Sequence, residues 1–382
     1  MIKTLTALTR EIDDPGAAAA EILAAIDPDN SLLKNSLGIV SCFSDFAETG
    51  ALKAVCDAMP FDIVGATTIM GAANGNVDQI MLIMTVITSD DCDFKSISIP
   101  LSENCEESVM SALTPVLAER AESPALMLTF LPLMNALGGD RMVEALDNAA
   151  GGVPMFGATA IDHTLDYSTA FTVYNGEPLP SSIVLALVYG KPEVAYAAAT
   201  LSEDKIISRK AIITGAEGNL LKEINGKTVL EYIKEIGLTE SELNAGLGIV
   251  PLFVGLNDGF ISVVRIILNL TPEGYVICGG AMPLNASLGV GRINAGDVLG
   301  TTEAAMRPFA DGRGVIIGYS CLARYFALGS NSNAEANTVV DVGKDARYHF
   351  AVSGGEVCPI PDREGKLRNF FHNYTTVFCR LS

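Results

Sequence analysis

The chain has 382 residues and a formal net charge of −20 at pH 7, and 49% of its residues are hydrophobic. The negative charge repels phosphate backbones and anionic membrane surfaces, which argues against nucleic acid as a partner. No stretch approaches the roughly 20 apolar residues of a membrane-spanning helix, so the apolar surplus predicts a large core or an interface in a homo-oligomer.

The cysteines and the N-terminal residues favour a reducing compartment. Eight cysteines are scattered without Cys-x-x-Cys spacing, a pattern untypical of disulfide frameworks and structural zinc sites. The opening residues lack the apolar core of a secretion signal. We therefore expect a cytoplasmic protein with reduced thiols, no metal site and no membrane insertion.

The first ninety residues predict two helices and three strands. An acidic pair followed by Pro15 is typical of a helix start, and Pro60 ends the second helical stretch. The predicted elements are helix 14–26, strand 38–43, helix 49–59, strand 61–65 and strand 80–87.

This pattern recurs twice along the chain. Three apolar segments are each followed by a second one ending in small residues: GIVSCFS (38–44) with FDIVGATT (61–68), LMLTFLP (126–132) with VPMFGATA (153–160), and VIIGYSC (315–321) with HFAVSGGE (349–356). Helices are predicted at 106–121, 139–150 and 297–310, and closing strands at 169–174 and 373–381. The chain therefore contains a repeated unit of helix, strand, helix, strand, loop and strand.

The region between the second and third copies differs from them. Predicted strands at 182–189, 194–200 and 210–214 precede Asn225-Gly226, a pair typical of a hairpin turn. We place a domain boundary there, giving domains 1–225 and 226–382. The fold class is mixed α/β (α+β), with two closely packed domains of mixed β-sheets flanked by helices.

Only the third copy carries side chains suited to ligand binding. Arg324 follows a strand end, where α/β proteins bind ligands, and its guanidinium can grip a carboxylate. Glu356 can bind an ammonium, and Gly355 before it allows a close backbone approach. Together they predict an amino-acid site. Alternatively, Arg324 pairs with Glu356 or a surface acid, and Glu356 only stabilises its turn.

The end of the chain adds polar residues around His372. Side chains alternate along a strand, so Asn373 and Thr375 are expected on one face, where they offer an amide and a hydroxyl to a ligand. Alternatively, His372 is a hydrogen-bonded histidine at a strand edge. Cys321, at the end of an apolar strand, is either simply buried or a nucleophile whose pKa is lowered by Arg324 and His372.

Five segments together resemble the FIST family of sensory proteins, which combine FIST N-terminal and FIST C-terminal domains. They are AEGNLLKEINGKTVLEYI (216–233), ISVVRIILNLTPEGYVICGGAMPLNASLGVGR (261–292), GYSCLARYFALG (318–329), GGEVCPI (354–360) and FFHNYTTVFCRL (370–381). The resemblance spans about residues 36–382. The turn Gly65–Thr68 departs from the family's Gly-Cys-Ser/Thr, so a role for a thiol there does not carry over.

The resemblance implies a sensor of small ligands such as amino acids. It also implies a signalling partner in trans, a kinase or a cyclic-dinucleotide enzyme. We take as the candidate ligand-binding set Cys321, Arg324, Gly355, Glu356, His372, Asn373 and Thr375, and we assign no catalytic residue.

Two alternative functions stay open. One is a haem-based nitric oxide sensor with His372 or His349 as the axial ligand; no other cofactor is expected. The other is an acyl-transfer or hydrolytic enzyme in which Cys321 is the nucleophile, His372 the base and Glu356 the group that orients it.

Overall fold

The computed structural model describes residues 2–134, 137–164, 166–201, 203–244, 250–256 and 261–382. Its first unit alternates strands with helices and ends in a hairpin and a closing strand. The elements are β1 Ile2–Thr9, α1 Pro15–Ile26, α2 Pro28–Ser31, β2 Asn35–Cys42, α3 Asp45–Glu48, α4 Ala51–Asp57, β3 Ile63–Thr67, β4 Gly71–Ala73, β5 Asn76–Asp78 and β6 Leu82–Ser89.

The second unit repeats this order with longer helices. Its elements are β7 Asp93–Pro100, α5 Cys105–Ala118, β8 Leu126–Leu131, α6 Gly139–Ala150, β9 Met155–Thr159, β10 Thr172–Tyr174, β11 Glu177–Leu179 and β12 Ser182–Tyr189.

The third unit is interrupted after its first strand, β13 Val194–Ala199. The interruption, residues 206–291, is called the inserted module. It contains β14 Ile206–Glu217, β15 Leu220–Ile224, β16 Lys227–Thr228, α7 Val229–Glu235, α8 Glu240–Asn244, β17 Leu252–Leu256, β18 Ile261–Arg265, β19 Ile267–Leu270, β20 Val276–Cys278 and β21 Ser287–Gly291.

The third unit then resumes in the same order as the first two. Its remaining elements are α9 Ala295–Met306, β22 Val315–Cys321, α10 Leu322–Ala327, α11 Ala334–Val342, β23 Arg347–Ser353, β24 Glu356–Pro361, β25 Leu367–His372 and β26 Thr376–Leu381.

Side-chain caps fix where several helices begin. The Asp14 carboxylate accepts the Ala17 amide at the start of α1, and Asn104 does the same for Glu107 in α5. In α9, Asn294 and Asp297 form a reciprocal capping box. These caps satisfy amides that have no partner within the helix. None of the helices in the described ranges is long and apolar enough to cross a membrane.

The units form three six-stranded sheets of matching order. They are β1-β6-β2-β3-β10-β11, β7-β12-β8-β9-β24-β25 and β13-β26-β22-β23-β4-β5. In each sheet the two central strands of one unit are parallel, and the other neighbours are antiparallel. The inserted module has its own sheet, of order β18-β17-β21-β14-β15-β20-β19 with β16 paired to β15.

A hairpin from a different unit completes each of the three sheets. Hairpin β4–β5 of the first unit joins the third sheet, β10–β11 of the second joins the first, and β24–β25 of the third joins the second. Since each unit supplies a hairpin to one neighbour and receives one from the other, no sheet is complete within its own unit.

The three sheets share one central core. Inward-facing side chains from all three units pack in it, among them Ile39, Phe130 and Ile317. Helices cover the outer faces: Ile22 of α1, Leu113 of α5 and Val339 of α11 are buried against their own sheets. Because the central strands are buried on both faces, they are apolar at nearly every position.

The repeated units predicted from the sequence are present, with two differences. Each unit begins with a strand before its first helix, and the closing strand of the second unit is β12, not 169–174. Residues 172–174 form only the first arm of a hairpin because Asn175-Gly176, at φ 50° and 79°, turns the chain back. The boundary predicted near residue 225 stays a prediction; that residue lies in the β15–β16 turn.

We predict that Gly65→Ala and Gly157→Ala each destabilise the protein by about 2 kcal/mol or more, the range of overpacked cores. A Cβ at Gly65 would lie 1.9 Å from the Val40 carbonyl oxygen, and one at Gly157 would lie 1.8 Å from that of Thr129. Backbone atoms of a central strand cannot move aside as a side chain does. Denaturant unfolding measures the difference.

Gly300→Ala is the matched control. Gly300 lies inside α9 with nothing within 4 Å of the added Cβ, so alanine should stabilise the protein by about 0.5–1 kcal/mol through helix propensity. Equal effects at all three glycines would contradict the packing argument.

Candidate functional site

The predicted site residues meet at one place in the third unit. Cys321 and Ser353 are partners at the carboxyl ends of the parallel strands β22 and β23. The turn between β25 and β26 covers this end, since the Cys321 amide donates to the Thr375 carbonyl at 3.1 Å. Glu356 faces His372 across the β24–β25 ladder. Polar side chains that follow parallel strands are thereby gathered in one buried cluster.

Arg324 is fully buried, and most of its donors are used. Its Nε donates to Glu335 Oε1 at 2.9 Å, and its Nη2 donates to the Val298 carbonyl at 2.8 Å and to the hydroxyls of Thr301 and Thr302 at 3.0 and 2.8 Å. Its Nη1 has no hydrogen-bond partner. The two N–H donors of Nη1 therefore remain for a further group.

Glu335 on α11 is the ion-pair partner of Arg324. Its Oε1 also accepts the Thr302 hydroxyl at 2.5 Å, and its Oε2 accepts the Ser320 hydroxyl at 2.9 Å. Glu356 or a surface acid was the partner predicted in the alternative in which Arg324 forms an ion pair. The carboxylate that binds Arg324 is instead Glu335, which is 2% exposed. A buried pair of this kind needs such extra hydrogen bonds to offset desolvation.

Glu356 keeps one carboxyl oxygen without a partner. Its Oε1 accepts the Ser353 hydroxyl at 2.7 Å, while Oε2 is buried without a hydrogen bond. Burial raises the pKa of Glu356 well above its usual range, and the negative charge of Glu335 adds to this, although Ser353 and Arg324 act in the opposite direction. Glu356 therefore stays a neutral acid in the folded protein at pH values where a free glutamate has lost its proton.

The β25–β26 turn holds the other predicted residues. His372 Nε2 donates to the Cys358 carbonyl at 2.9 Å, which fixes its tautomer. Burial lowers the pKa of His372 to about 4, so the imidazole is neutral at physiological pH.

Alternation along a strand predicted that Asn373 and Thr375 share one face, and this prediction is wrong. They lie in the turn before β26, with Tyr374 between them at φ 59°. The Thr375 hydroxyl donates to the Asn373 carbonyl at 2.9 Å, and Asn373 Nδ2 donates to the His372 carbonyl at 3.2 Å. Asn373 Oδ1 and the Tyr374 hydroxyl are buried without partners.

Gly355 allows a close approach, and the group that approaches it is the aromatic ring of Phe371. A Cβ there would lie 2.3 Å from Cζ of Phe371. The Gly354 amide donates to the Thr159 carbonyl at 3.0 Å, and the Gly355 carbonyl accepts the Thr159 amide at 2.8 Å. The glycine pair thus joins β9 of the second unit to the cluster.

The inserted module packs over the cluster. Phe253 and Val264 of the module form a small apolar cluster with Cys321, Ala323 and Tyr374. Since ligand sites in proteins often lie between domains, this position is favourable for binding.

Three members of the cluster were not predicted from the sequence: Glu335, Tyr374 and Arg265. Arg265 on β18 donates through Nη1 to the Phe371 carbonyl at 3.0 Å, which ties the module to the turn. The burial of Glu335 depends on the packing of α11 against α9, which has no signal in a single sequence. Arg265 directly follows the apolar pair Val263-Val264 in a predicted strand, and a charge in that position was the available signal in the sequence.

The histidines do not fit the haem alternative. His349 is fully buried and has both ring nitrogens in hydrogen bonds, Nε2 with Ser41 at 2.8 Å and Nδ1 with Thr85 at 3.1 Å. His372 Nε2 is bound to Cys358. A haem iron at His349 would have to displace one of these partners, and at His372 it would have to displace the Cys358 carbonyl or bind through Nδ1. The described residues also contain no His, Cys, Asp and Glu group suited to a metal ion.

The geometry also gives little support to a cysteine nucleophile. Cys321 is 1% exposed, and burial, reinforced by the charge of Glu356, raises the pKa of its thiol far above its usual range.

The comparisons with known proteins agree with the motifs. The model of the FIST N domain matches residues 36–227 and that of the FIST C domain matches residues 228–359. The chain therefore belongs to the FIST family, whose domains are generally sensory and ligand-binding. No curated protein matches the sequence.

Solved structures resemble the chain only weakly. A cyanuric acid hydrolase from A. caulinodans aligns with 99% of this chain and 98% of its own at 10% identity and a TM-score of 0.37. Phosphoribosylformylglycinamidine synthase II from Thermotoga maritima aligns with 100% of this chain and 72% of its own at 9% identity and a TM-score of 0.21.

We predict that Cys321 resists alkylation in the native protein at pH 7. Burial and the raised pKa of the thiol leave almost no reactive thiolate. Iodoacetamide labelling followed by peptide mass spectrometry measures the labelled fraction, with protein in denaturant as the positive control. Selective labelling of Cys321 in the native state would revive the enzyme alternative.

We predict that Glu356→Gln stabilises the free protein increasingly as pH rises. The folded state holds the Glu356 proton at pH values where the unfolded chain has lost it, so wild-type stability falls as pH rises from about 4.5 through the raised pKa. Glutamine imitates the protonated form. Unfolding curves between pH 5 and 8 give the difference.

Glu335→Gln is the contrasting variant. It removes the counter-charge of buried Arg324 and should destabilise the protein by about 3–5 kcal/mol. If Glu356→Gln were also destabilising at pH 8, Glu356 would be a required anion, contrary to this assignment.

Proposed function

We propose that this chain is a small-ligand sensor whose ligand binds at the buried cluster of the third unit. The observation that carries the proposal is a set of four buried polar atoms without partners: Arg324 Nη1, Glu356 Oε2, Asn373 Oδ1 and the Tyr374 hydroxyl. Each unsatisfied group costs about 1–3 kcal/mol, so one molecule that satisfies several of them gains that free energy on binding.

The four atoms are chemically complementary to an amino acid or a similar small ligand. Arg324 Nη1 donates, as a carboxylate or carbonyl requires. Asn373 Oδ1 accepts, and Glu356 Oε2 accepts once ionised, as an ammonium requires. The charge of Arg324 also acts on the pKa of both Glu356 and Tyr374, which supports a single site for these groups.

The signal would travel through the inserted module. The module has a separate hydrophobic core, covers the cluster and joins the body through chain segments near residues 200–205 and 292–294. Ligand entry into an enclosed cluster requires the module to move, and its new position offers a surface to a partner in trans. A kinase or a cyclic-dinucleotide enzyme is the partner that the family resemblance favours.

A thermal-shift screen tests the site. The twenty amino acids, small acids and nucleosides are added to wild type and to Tyr374→Phe, which deletes one orphan hydroxyl. A ligand at a hundredfold excess over its Kd stabilises the wild type by about 2.7 kcal/mol, and we expect a smaller gain for the variant. Tyr275→Phe, in a turn of the module, is the control and should match the wild type.

The two failures differ in meaning. If none of these compounds raises the melting temperature of the wild type, the sensor proposal is wrong for these ligand classes. If a ligand stabilises wild type and Tyr374→Phe equally, it binds elsewhere.

A further inference from the structure

We propose that Arg265 anchors the carboxylate of the ligand, and that the ligand is therefore a small carboxylic acid that carries a hydrogen-bond donor. This proposal rests on the proposed function of the cluster. It assigns the binding of the ligand's anionic end to a residue of the inserted module.

Arg265 is a buried cation whose bonds all go to neutral groups. It is 5% exposed. Its Nη1 donates to the carbonyls of Phe371 at 3.0 Å and Val264 at 3.3 Å, and its Nε donates to that of Ala281 at 3.5 Å. Nη2 makes no hydrogen bond to any residue in the described ranges, and none of their carboxylates forms an ion pair with Arg265. A buried guanidinium without a counter-ion is costly, and an anion would remove this cost.

Arg324 is the less suitable anchor because its positive charge is already balanced. The Nε of Arg324 donates to Glu335, and four oxygen atoms in all accept hydrogen bonds from its Nε and Nη2. A ligand carboxylate at Arg324 would lie close to the carboxylate of Glu335. At Arg265 no such carboxylate is in contact, so the two arginines have different roles: Arg265 supplies the charge that binds the ligand carboxylate, and Arg324, whose charge Glu335 already balances, supplies only its Nη1 group as a donor.

The backbone around Arg265 is built for a close approach. A Cβ at Gly280 would lie 2.6 Å from Arg265 Nε, and one at Gly279 would lie 2.7 Å from Asn373 Oδ1. Asn373 is 1% exposed, and this oxygen has no partner. Gly280 therefore packs against the unneutralised cation and Gly279 against the unpartnered acceptor, so that both groups contact the same short segment of backbone.

None of the charged groups near Arg265 in the described ranges forms an ion pair with it. Asp140 acts on Arg265 through space and supports its charge, but its Oδ2 accepts the Ala281 amide at 2.8 Å instead. The charge of Arg265 contributes to the lowered pKa of His372, and the neutral imidazole does not compensate that charge. The ligand carboxylate is the group that completes this set, with its donor directed at Asn373 and Glu356.

The test compares each amino acid with its amide, which keeps the ammonium and loses the carboxylate charge. Binding is measured by calorimetry on the full chain for wild type, Arg265→Gln, Arg265→Lys and Arg292→Gln. Arg292 pairs with Glu242 at the surface and is the matched control. Acetate is a second probe, with chloride at equal ionic strength as its control.

For wild type and Arg292→Gln we expect the acid to bind at least about tenfold more tightly than its amide, as a lost charged hydrogen bond implies. Arg265→Gln should bring the ratio close to one, and Arg265→Lys should give an intermediate value. Acetate should raise the melting temperature of the wild type but not that of Arg265→Gln. If the glutamine variant does not fold, as judged by circular dichroism, the lysine variant carries the same comparison.

Distinct results overturn the inference and the proposed function. An acid-to-amide ratio that stays at the wild-type value in Arg265→Gln or Arg265→Lys overturns the role of Arg265 and leaves the sensor proposal standing. If no amino acid binds the wild type, the amino-acid proposal fails, and the acetate experiment alone decides on Arg265: equal shifts in wild type and variant, or none in either, overturn its role.

Discussion

The exchange of hairpins between units is the constraint on which the rest of the structure depends. Each of the three sheets ends in a hairpin from another unit, so the sheets cannot separate without breaking strand pairs. This interlocking sets the carboxyl ends of the parallel strands against one another, as in the bonds that join Thr159 to Gly354 and Gly355. The central core, in which all three units take part, is a result of the exchange.

The three units have diverged in chemistry while keeping one architecture. At matching strand ends the first unit has Thr67, the second Thr159 and the third Ser353, and only the hydroxyl of Ser353 binds a carboxylate, that of Glu356. The third unit is also the one that holds the inserted module. The covering module and the incompletely satisfied polar cluster therefore occur in the same unit.

The sequence predicted best those features that depend on residues close together along the chain. Strand β12 and helix α6 begin and end where predicted, because an apolar run marks the strand and the Gly151 C-cap at φ 64° marks the end of the helix. The hairpins were missed although Asn74-Gly75 and Asn175-Gly176 both turn with positive φ, since their strands have only three residues. The convergence of Cys321, Glu356 and His372 required the sheet register, and the Arg324–Glu335 pair required helix packing, neither of which a single sequence encodes locally.

The hairpin exchange has a consequence for synthesis on the ribosome. The second sheet begins at residue 93 but receives β24–β25 only from residues 356–372. Until those residues emerge, β9 presents an open sheet edge, and such edges pair readily with other chains. Contacts of such long range form late and slowly. The β9 edge of the nascent chain therefore stays open to pairing with other chains until almost the whole protein has been made.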